Sequence, residues 1–346
     1  VGMSEQRLFE RTLFRRDDVP ESKRDLPSVR KAIREGLREE MHRDEQVFQM
    51  GEDIATAPPF GVTSGLADEF GRDRVRNIPA SEVAVMGAAV GAGIDGMRAV
   101  VEFQFGDFLS VAIDQLTHQA AMLRHLRGGQ VSVPMVVRLP CGGGQSTGPE
   151  HSPSRYSWLA HAPGIKGATP STPMDAKGMI KTAIRDGNPV LFFEHKSLYS
   201  MRAPVPDEYD DETHLVPFGE AAIRRSGADV TVVGTMTMVH HALAAADRLA
   251  DEDISVEVID PRTVDPLDTD TIVESVEKTG ALVVADEAYR SCGLQGEIIT
   301  QVTERAYDAL DVRPRRLANP DVPVPFAPTM EDEVLPNTDD IVETVE

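Results

Sequence analysis

Asn77-Ile-Pro-Ala-Ser-Glu82 runs without a break into Val83-Ala-Val-Met-Gly-Ala-Ala-Val-Gly-Ala-Gly-Ile-Asp-Gly96, and this stretch decides the fold. A strand around Val75 to Ile78 leads into it, Ser81 stands where a helix N-cap belongs, and a helix follows over Val83 to Ile94. A carboxylate at such a strand-to-helix junction, with Gly and Ala behind it, lets a flat ligand approach the backbone closely. Taken alone, the same residues also describe an ordinary capped helix whose Glu82 favours the positive end of the dipole. The surrounding chain separates the two readings.

Working outward, strands and helices alternate. A helix is predicted from Ser28 to His42, with Val29, Ile33, Leu37 and Met41 at three- and four-residue spacing, then a strand over Val47 to Met50. Beyond the junction come a strand (Ala99 to Phe103), one long helix (Phe108 to Leu126) and a strand (Pro134 to Arg138). A Gly-, Ser- and Pro-rich loop (Cys141 to Ser154), a helix (Asp175 to Arg185) and a strand (Pro189 to Glu194) follow. The pattern breaks at Met201 to Pro217 and resumes with strands at Val230, Ser255, Ala281 and Val312, separated by helices. This alternation predicts an α/β fold of two domains, each a mainly parallel sheet flanked by helices. The expected division is an arm over 1–27, a first domain over 28–200, a linker over 201–216 and a second domain over 217–346.

The composition excludes several classes of function. The formal charge of −22 argues against nucleic acid or an anionic membrane as a partner. No apolar run approaches about 18 residues, so no membrane span is expected. The charged start, Val1 to Arg16, has no apolar core, and a secretory signal is not expected. Two cysteines, Cys141 and Cys292, are too few for a disulfide framework and fit a reducing cytoplasm. Only seven of the 35 basic residues are lysine. Scarce lysine with strong acidity suits a high-salt interior, and equally an ordinary solubility device.

Further landmarks occur in order: Met50-Gly-Glu-Asp53, Glu102-Phe-Gln-Phe-Gly-Asp-Phe108 with Ala112-Ile-Asp-Gln115, Glu150-His-Ser152, His161-Ala-Pro-Gly-Ile-Lys166, Ala176-Lys-Gly178 with Ile184-Arg-Asp-Gly-Asn-Pro189, and Asp260-Pro-Arg-Thr263. With Asn77 to Glu82, they make residues 28–346 resemble the β subunit of the thiamine-diphosphate-dependent 2-oxoacid dehydrogenase family, which has pyruvate, branched-chain 2-oxoacid and acetoin members. Ordered landmarks over so long a span are far more specific than a lone glycine motif. The resemblance implies a transketolase-like pyrimidine-binding domain followed by a transketolase C-terminal-like domain.

It also implies roles. Glu82 would contact the aminopyrimidine of thiamine diphosphate. A carboxyl sheltered from water and bonded to the pyrimidine ring nitrogen favours the imino tautomer, whose exocyclic nitrogen takes the thiazolium proton. Glu52, Gln104 and Phe108 would line the same pocket, Phe108 standing where many members have tyrosine. His151 would face the substrate and help decarboxylation or acyl transfer to a lipoyl group, although the usual Ser-Gln after it is here Ser152-Pro153. Oxygens of Met135, Ala183, Ile184, Asp186 and Asn188 would cradle a potassium ion, a hard cation that prefers oxygen. Asp286-Glu287 replaces the frequent His-Glu. No Gly-Asp-Gly occurs, so magnesium and the diphosphate are expected on an α subunit, in an α2β2 heterotetramer that docks to a dihydrolipoyl acyltransferase core. Half of a split transketolase-type enzyme and a non-catalytic scaffold subunit are the alternatives.

Overall fold

The computed structural model describes residues 26–206, 209 and 213–346. Most of the predicted arm (1–27) and part of the predicted linker (201–216) lie outside the described residues. The chain divides into two compact units, Val1–Cys141 with Trp158–Phe218, and Gly142–Ser157 with Gly219–Glu346. The glycine-rich loop thus groups with the second unit.

In chain order the elements up to the second unit are α1 (Val29–Arg43), β1 (Val47–Gly51), α2 (Leu66–Phe70), β2 (Val75–Asn77), α3 (Glu82–Ile94), β3 (Arg98–Glu102), α4 (Leu123–Leu126), β4 (Met135–Cys141), α5 (Tyr156–Ala160), β5 (Lys166–Ala168), α6 (Pro173–Arg185) and β6 (Val190–His195). The first unit's strands run parallel in the order β5-β6-β4-β3-β1-β2. β1, β4 and β6 are buried along their whole length, which only a sheet covered on both faces allows. One cover is α1, which starts at Ser28, whose hydroxyl accepts from the Lys31 N–H, and buries Val29, Ile33, Leu37 and Met41. It crosses α6 closely at Gly36, where a Cβ would lie 2.5 Å from Ile180 Cγ2. A salt seam closes the same crossing. Glu39 pairs with Lys177 and Lys181, and the fully buried Glu40 with Arg185.

The long helix predicted over Phe108 to Leu126 is not one helix. A 3-10 segment, Gly106–Ala112, tightens the chain, a π segment, Gln115–Ala120, widens it, and α4 is a single turn. Leu109, Ala112, Leu116 and Ala120 are buried along these turns. Irregular turns of this kind collect at functional sites.

The second unit contains β7 (Ala222–Arg225), β8 (Val230–Gly234), α7 (Thr237–Ala250), β9 (Val256–Asp260), β10 (Thr263–Asp265), α8 (Thr269–Thr279), β11 (Leu282–Tyr289), α9 (Leu294–Ala306), β12 (Arg315–Asn319), α10 (Pro328–Val334) and α11 (Thr338–Val345). Its five-stranded sheet has the order β12-β11-β8-β9-β7, parallel except for β7 at one edge. The core joins Val232, Val258 and Ala285 of the sheet to Ala242, Ala246 and Leu249 of α7 and Ile341 of α11. α8 is delimited as its residues dictate: the Asp268 carboxylate accepts from Thr271 N–H, and Gly280 closes the helix in the left-handed conformation.

Candidate active site

The first sheet reverses its winding beside β1. From β1 the chain moves to β2 on one side, and after α3 it returns to β3 on the other side of β1. Ligands of open parallel sheets bind in the crevice outside the carboxyl ends of the strands at such a switch point. Glu52 follows β1, Glu82 follows β2, and Gln104 follows β3, so three residues singled out in the sequence stand at three neighbouring strand ends. Gly51 is required there, because a Cβ would lie 2.7 Å from Ile54 Cγ2 and 3.1 Å from the Glu102 carbonyl oxygen.

Asn77 builds the mouth of the crevice. Its Oδ1 accepts from Ala55 N–H (2.7 Å) and its Nδ2 donates to Thr56 Oγ1 (2.9 Å), fixing the loop after β1. Glu82 is the first residue of α3. Ser81 holds the N-cap position but its side chain makes no cap bond, a departure from the predicted capping. Among the described residues nothing donates to or pairs with the partly exposed Glu82 carboxylate. It is available to an incoming donor.

Gln104 is oriented from behind. Its Nε2 donates to the Glu52 carbonyl (2.7 Å) and to Glu102 Oε1 (3.3 Å), leaving the Oε1 acceptor without a partner among the described residues. Glu52 therefore contributes its backbone, while its side chain is exposed. Phe108 is half-buried and meets Phe105 edge-on at 6.5 Å, and Phe105 meets Phe60 at 5.4 Å. An aromatic wall of this kind suits a flat heteroaromatic ring.

Beneath this crevice lies a polar network that the sequence did not single out. Arg138 is fully buried and bidentate to Glu194 (2.7 and 2.8 Å), contacts Glu102 through Nη1, and Tyr199 donates to Glu194 at 2.6 Å. Burial disfavours the guanidinium charge, yet Glu194 and Glu102 outweigh it and raise the Arg138 pKa. Burial raises the Glu102 pKa against the pull of Arg138, and burial with Glu194 raises that of Tyr199. The sole signal in the sequence was Arg138 within an apolar strand, a charge that burial tolerates only when paired.

The predicted cation segment gathers at the amino ends of β3 to β6. Arg98 Nη1 donates to the carbonyls of Ile184 (2.7 Å) and Asp186 (2.9 Å), and Asp44 pairs with Arg98 at 3.5 Å. Lys166 binds Asp186 Oδ2 at 2.5 Å, and Asn188 donates to Asp186 Oδ1 from both nitrogens. Met135 and Ala183 are buried. Among the described residues no cluster of three or more His, Cys, Asp or Glu could hold a metal. His151 lies in the second unit, in a turn where its N–H bonds the Gly148 carbonyl (3.3 Å) and Thr147 Oγ1 reaches Ser152 Oγ (2.9 Å). Cys141 is buried, Cys292 is exposed, and both are free thiols. No helix among the described residues is long and apolar enough to cross a membrane.

Comparison with known proteins identifies both halves of the fold. Residues 25–202 match the transketolase pyrimidine-binding domain and residues 219–341 the transketolase C-terminal domain. The chain is 43% identical over 321 residues to the acetoin:2,6-dichlorophenolindophenol oxidoreductase subunit beta of Cupriavidus necator, covering 90% of this chain and 94% of that one. It is 42% identical over 315 residues to the pyruvate dehydrogenase E1 component subunit beta of Bacillus subtilis (90% and 95% covered), and 41% over 312 residues to that organism's 2-oxoisovalerate dehydrogenase subunit beta (90% and 94%). Among solved structures, a split-gene transketolase described as an inactive beta4 tetramer shares the fold, with a TM-score of 0.73, 22% identity, and 92% and 96% of the two chains covered. The chain therefore belongs to the transketolase family, its two matched segments being the pyrimidine-binding and C-terminal domains, and its homologues include the E1 β subunits of the 2-oxoacid dehydrogenases.

Proposed function

We propose that this chain is the β subunit of a thiamine-diphosphate-dependent 2-oxoacid dehydrogenase, taking a pyruvate, branched-chain or acetoin-type substrate and passing the acyl group to a lipoyl-bearing acyltransferase. The observation that carries this reading is the convergence of Glu52, Glu82 and Gln104 on one switch-point crevice. These groups fit an aminopyrimidine: an unpartnered carboxylate, an unpartnered amide acceptor and an aromatic wall. Bound there, the coenzyme supplies the electron sink for decarboxylation. The chain's own groups do the rest. Glu82 holds a proton at the pyrimidine ring nitrogen, the Gln104 Oε1 accepts from an exocyclic N–H, and Phe108 excludes water from the ring face. His151 presents an imidazole proton to the oxoacid.

Magnesium and the diphosphate fall to an α subunit, since this sequence has no Gly-Asp-Gly. The outer face of α3 suits that partner. Val83, Ala84, Gly87, Ala88, Gly91 and Ile94 are exposed, and a Cβ at Gly87 or Gly91 would touch nothing within 4 Å. Small residues on an apolar face permit close approach of a second backbone. An α2β2 assembly in a reducing cytoplasm completes the proposal.

A potassium ion is proposed at the oxygens of Met135, Ala183, Ile184, Asp186 and Asn188. The Ile184 and Asp186 carbonyls accept from the Arg98 guanidinium and the Asp186 carboxylate pairs with Lys166, so an ion there competes with two cations.

The test is Glu82→Gln in the assembled two-chain enzyme. Loss of a positioned proton-transfer group costs roughly 10²–10⁴-fold in turnover. Unchanged turnover of any 2-oxoacid would remove Glu82 from the mechanism.

A further inference from the structure

The second sheet has a switch point of its own. From β8 the chain moves to β9 on one side and returns to β11 on the other, opening a crevice at the carboxyl ends of β8 and β11. The unit's own loop takes that place. Glu287 Oε1 accepts the Gly143 N–H at 2.6 Å, with Thr237 on its Oε2 at 3.3 Å. Asp286 Oδ1 accepts from the Tyr156 hydroxyl, from Thr235 Oγ1 (2.9 Å) and from the Ala288 N–H (3.1 Å). Glu331 of α10, fully buried, accepts the N–H groups of Gly144 (2.9 Å) and Ser146 (2.8 Å) and the Ser146 hydroxyl (3.3 Å).

The loop backbone is shaped for these carboxylates. Gly142, Gly144, Ser146 and Gly148 all have positive φ (86°, 81°, 55° and 76°). A chain that alternates hand in this way turns successive N–H groups inward as an anion-binding concavity. At Gly148 a Cβ would lie 2.4 Å from the Phe326 ring, so this side of the loop is closed as well. His151 sits midway between the ends, three residues after Gly148 and five before Tyr156.

We propose that Glu331 and Glu287 are positioning residues for His151. Their charge-assisted bonds hold the loop in the one conformation that presents the imidazole, before substrate arrives. This rests on the reading of His151 as the group facing the oxoacid. Carboxylates at this switch point also disfavour anionic ligands such as nucleotides there, and the crevice serves the loop instead.

A double-variant cycle in the assembled two-chain enzyme tests the proposal, with Glu331→Gln, His151→Ala and the pair compared. Displacing a catalytic group by about 1 Å can cost on the order of 10²-fold. Glu331→Gln is expected to lower kcat/KM for the oxoacid by roughly that factor, with thiamine diphosphate affinity unchanged because Glu82 and Gln104 lie in the other unit. Added to His151→Ala, it is expected to cost nothing further. Additive losses, or full activity of Glu331→Gln alone, would overturn the positioning role while leaving His151 in the mechanism. Full activity of His151→Ala would instead remove His151 from the mechanism and the clamp with it. If Glu331→Gln fails to fold, Glu287→Gln, which weakens the Gly143 and Thr237 contacts, carries the same cycle with the same outcomes.

Discussion

Asp286 and Arg138 show how far a single residue's surroundings decide its chemistry. Burial, then the neighbouring Glu287, pushes the Asp286 pKa up to about 7, well above the ordinary carboxylate value of 3.8. The folded chain therefore keeps a proton that the unfolded chain gives up. The stability this contributes is complete below about pH 3.8 and is lost as pH rises through about 7. Asp286→Asn should flatten that slope, so unfolding midpoints of wild type and variant, compared from pH 4 to pH 8, converge differently at the two ends. A constant difference across that range would contradict the assignment. Arg138→Met leaves Glu102 and Glu194 buried without their cation, and urea unfolding should register a loss of about 3–5 kcal/mol. At this scale the family resemblance singled out Glu52, Glu82 and Gln104, and the fold sets them after three neighbouring strands. The sequence was silent on Glu194 and Tyr199, because their pairing with Arg138 joins separate strands and leaves no local pattern.

At the scale of elements, three- and four-residue spacing predicted α1, which buries Val29, Ile33, Leu37 and Met41 as one stripe. It failed over Phe108 to Leu126, where Leu109, Ala112, Leu116 and Ala120 keep helical spacing while the backbone passes from a 3-10 to a π segment, a change the spacing does not signal. It also missed β5, β7, β10, α10 and α11, which are three to eight residues long and too short for a periodic signature. The crossing of α1 and α6 offers a direct check on packing. Gly36→Val places its first side-chain carbon against the stiff, branched Ile180 and 3.1 Å from the Lys177 carbonyl. Overpacking of this kind costs about 1–3 kcal/mol, measurable as a lower denaturant midpoint. An unchanged midpoint would mean that the two helices are free to separate.

For the whole molecule, charge and incompleteness matter most. A net charge of −22 repels itself, and raising salt from about 0.01 M to about 1 M shortens the screening length from roughly 30 Å to 3 Å. The thermal midpoint should climb over that range, and a flat response would show that the acidic groups are already neutralised within the fold. Fold class and the two-domain plan were legible because strand–helix alternation is a property of the entire chain. The partner's half of the site could be inferred only from what this sequence lacks. The central claim is that the chain carries the pyrimidine half of a shared thiamine-diphosphate site, and one assay addresses it directly. The chain is purified alone and with its α-type partner, and each preparation is offered magnesium, thiamine diphosphate, an artificial electron acceptor and a panel of 2-oxoacids and acetoin. Turnover that requires both chains and the coenzyme is the predicted result. Turnover by this chain alone, or a stable two-chain complex that does not bind the coenzyme, would contradict it.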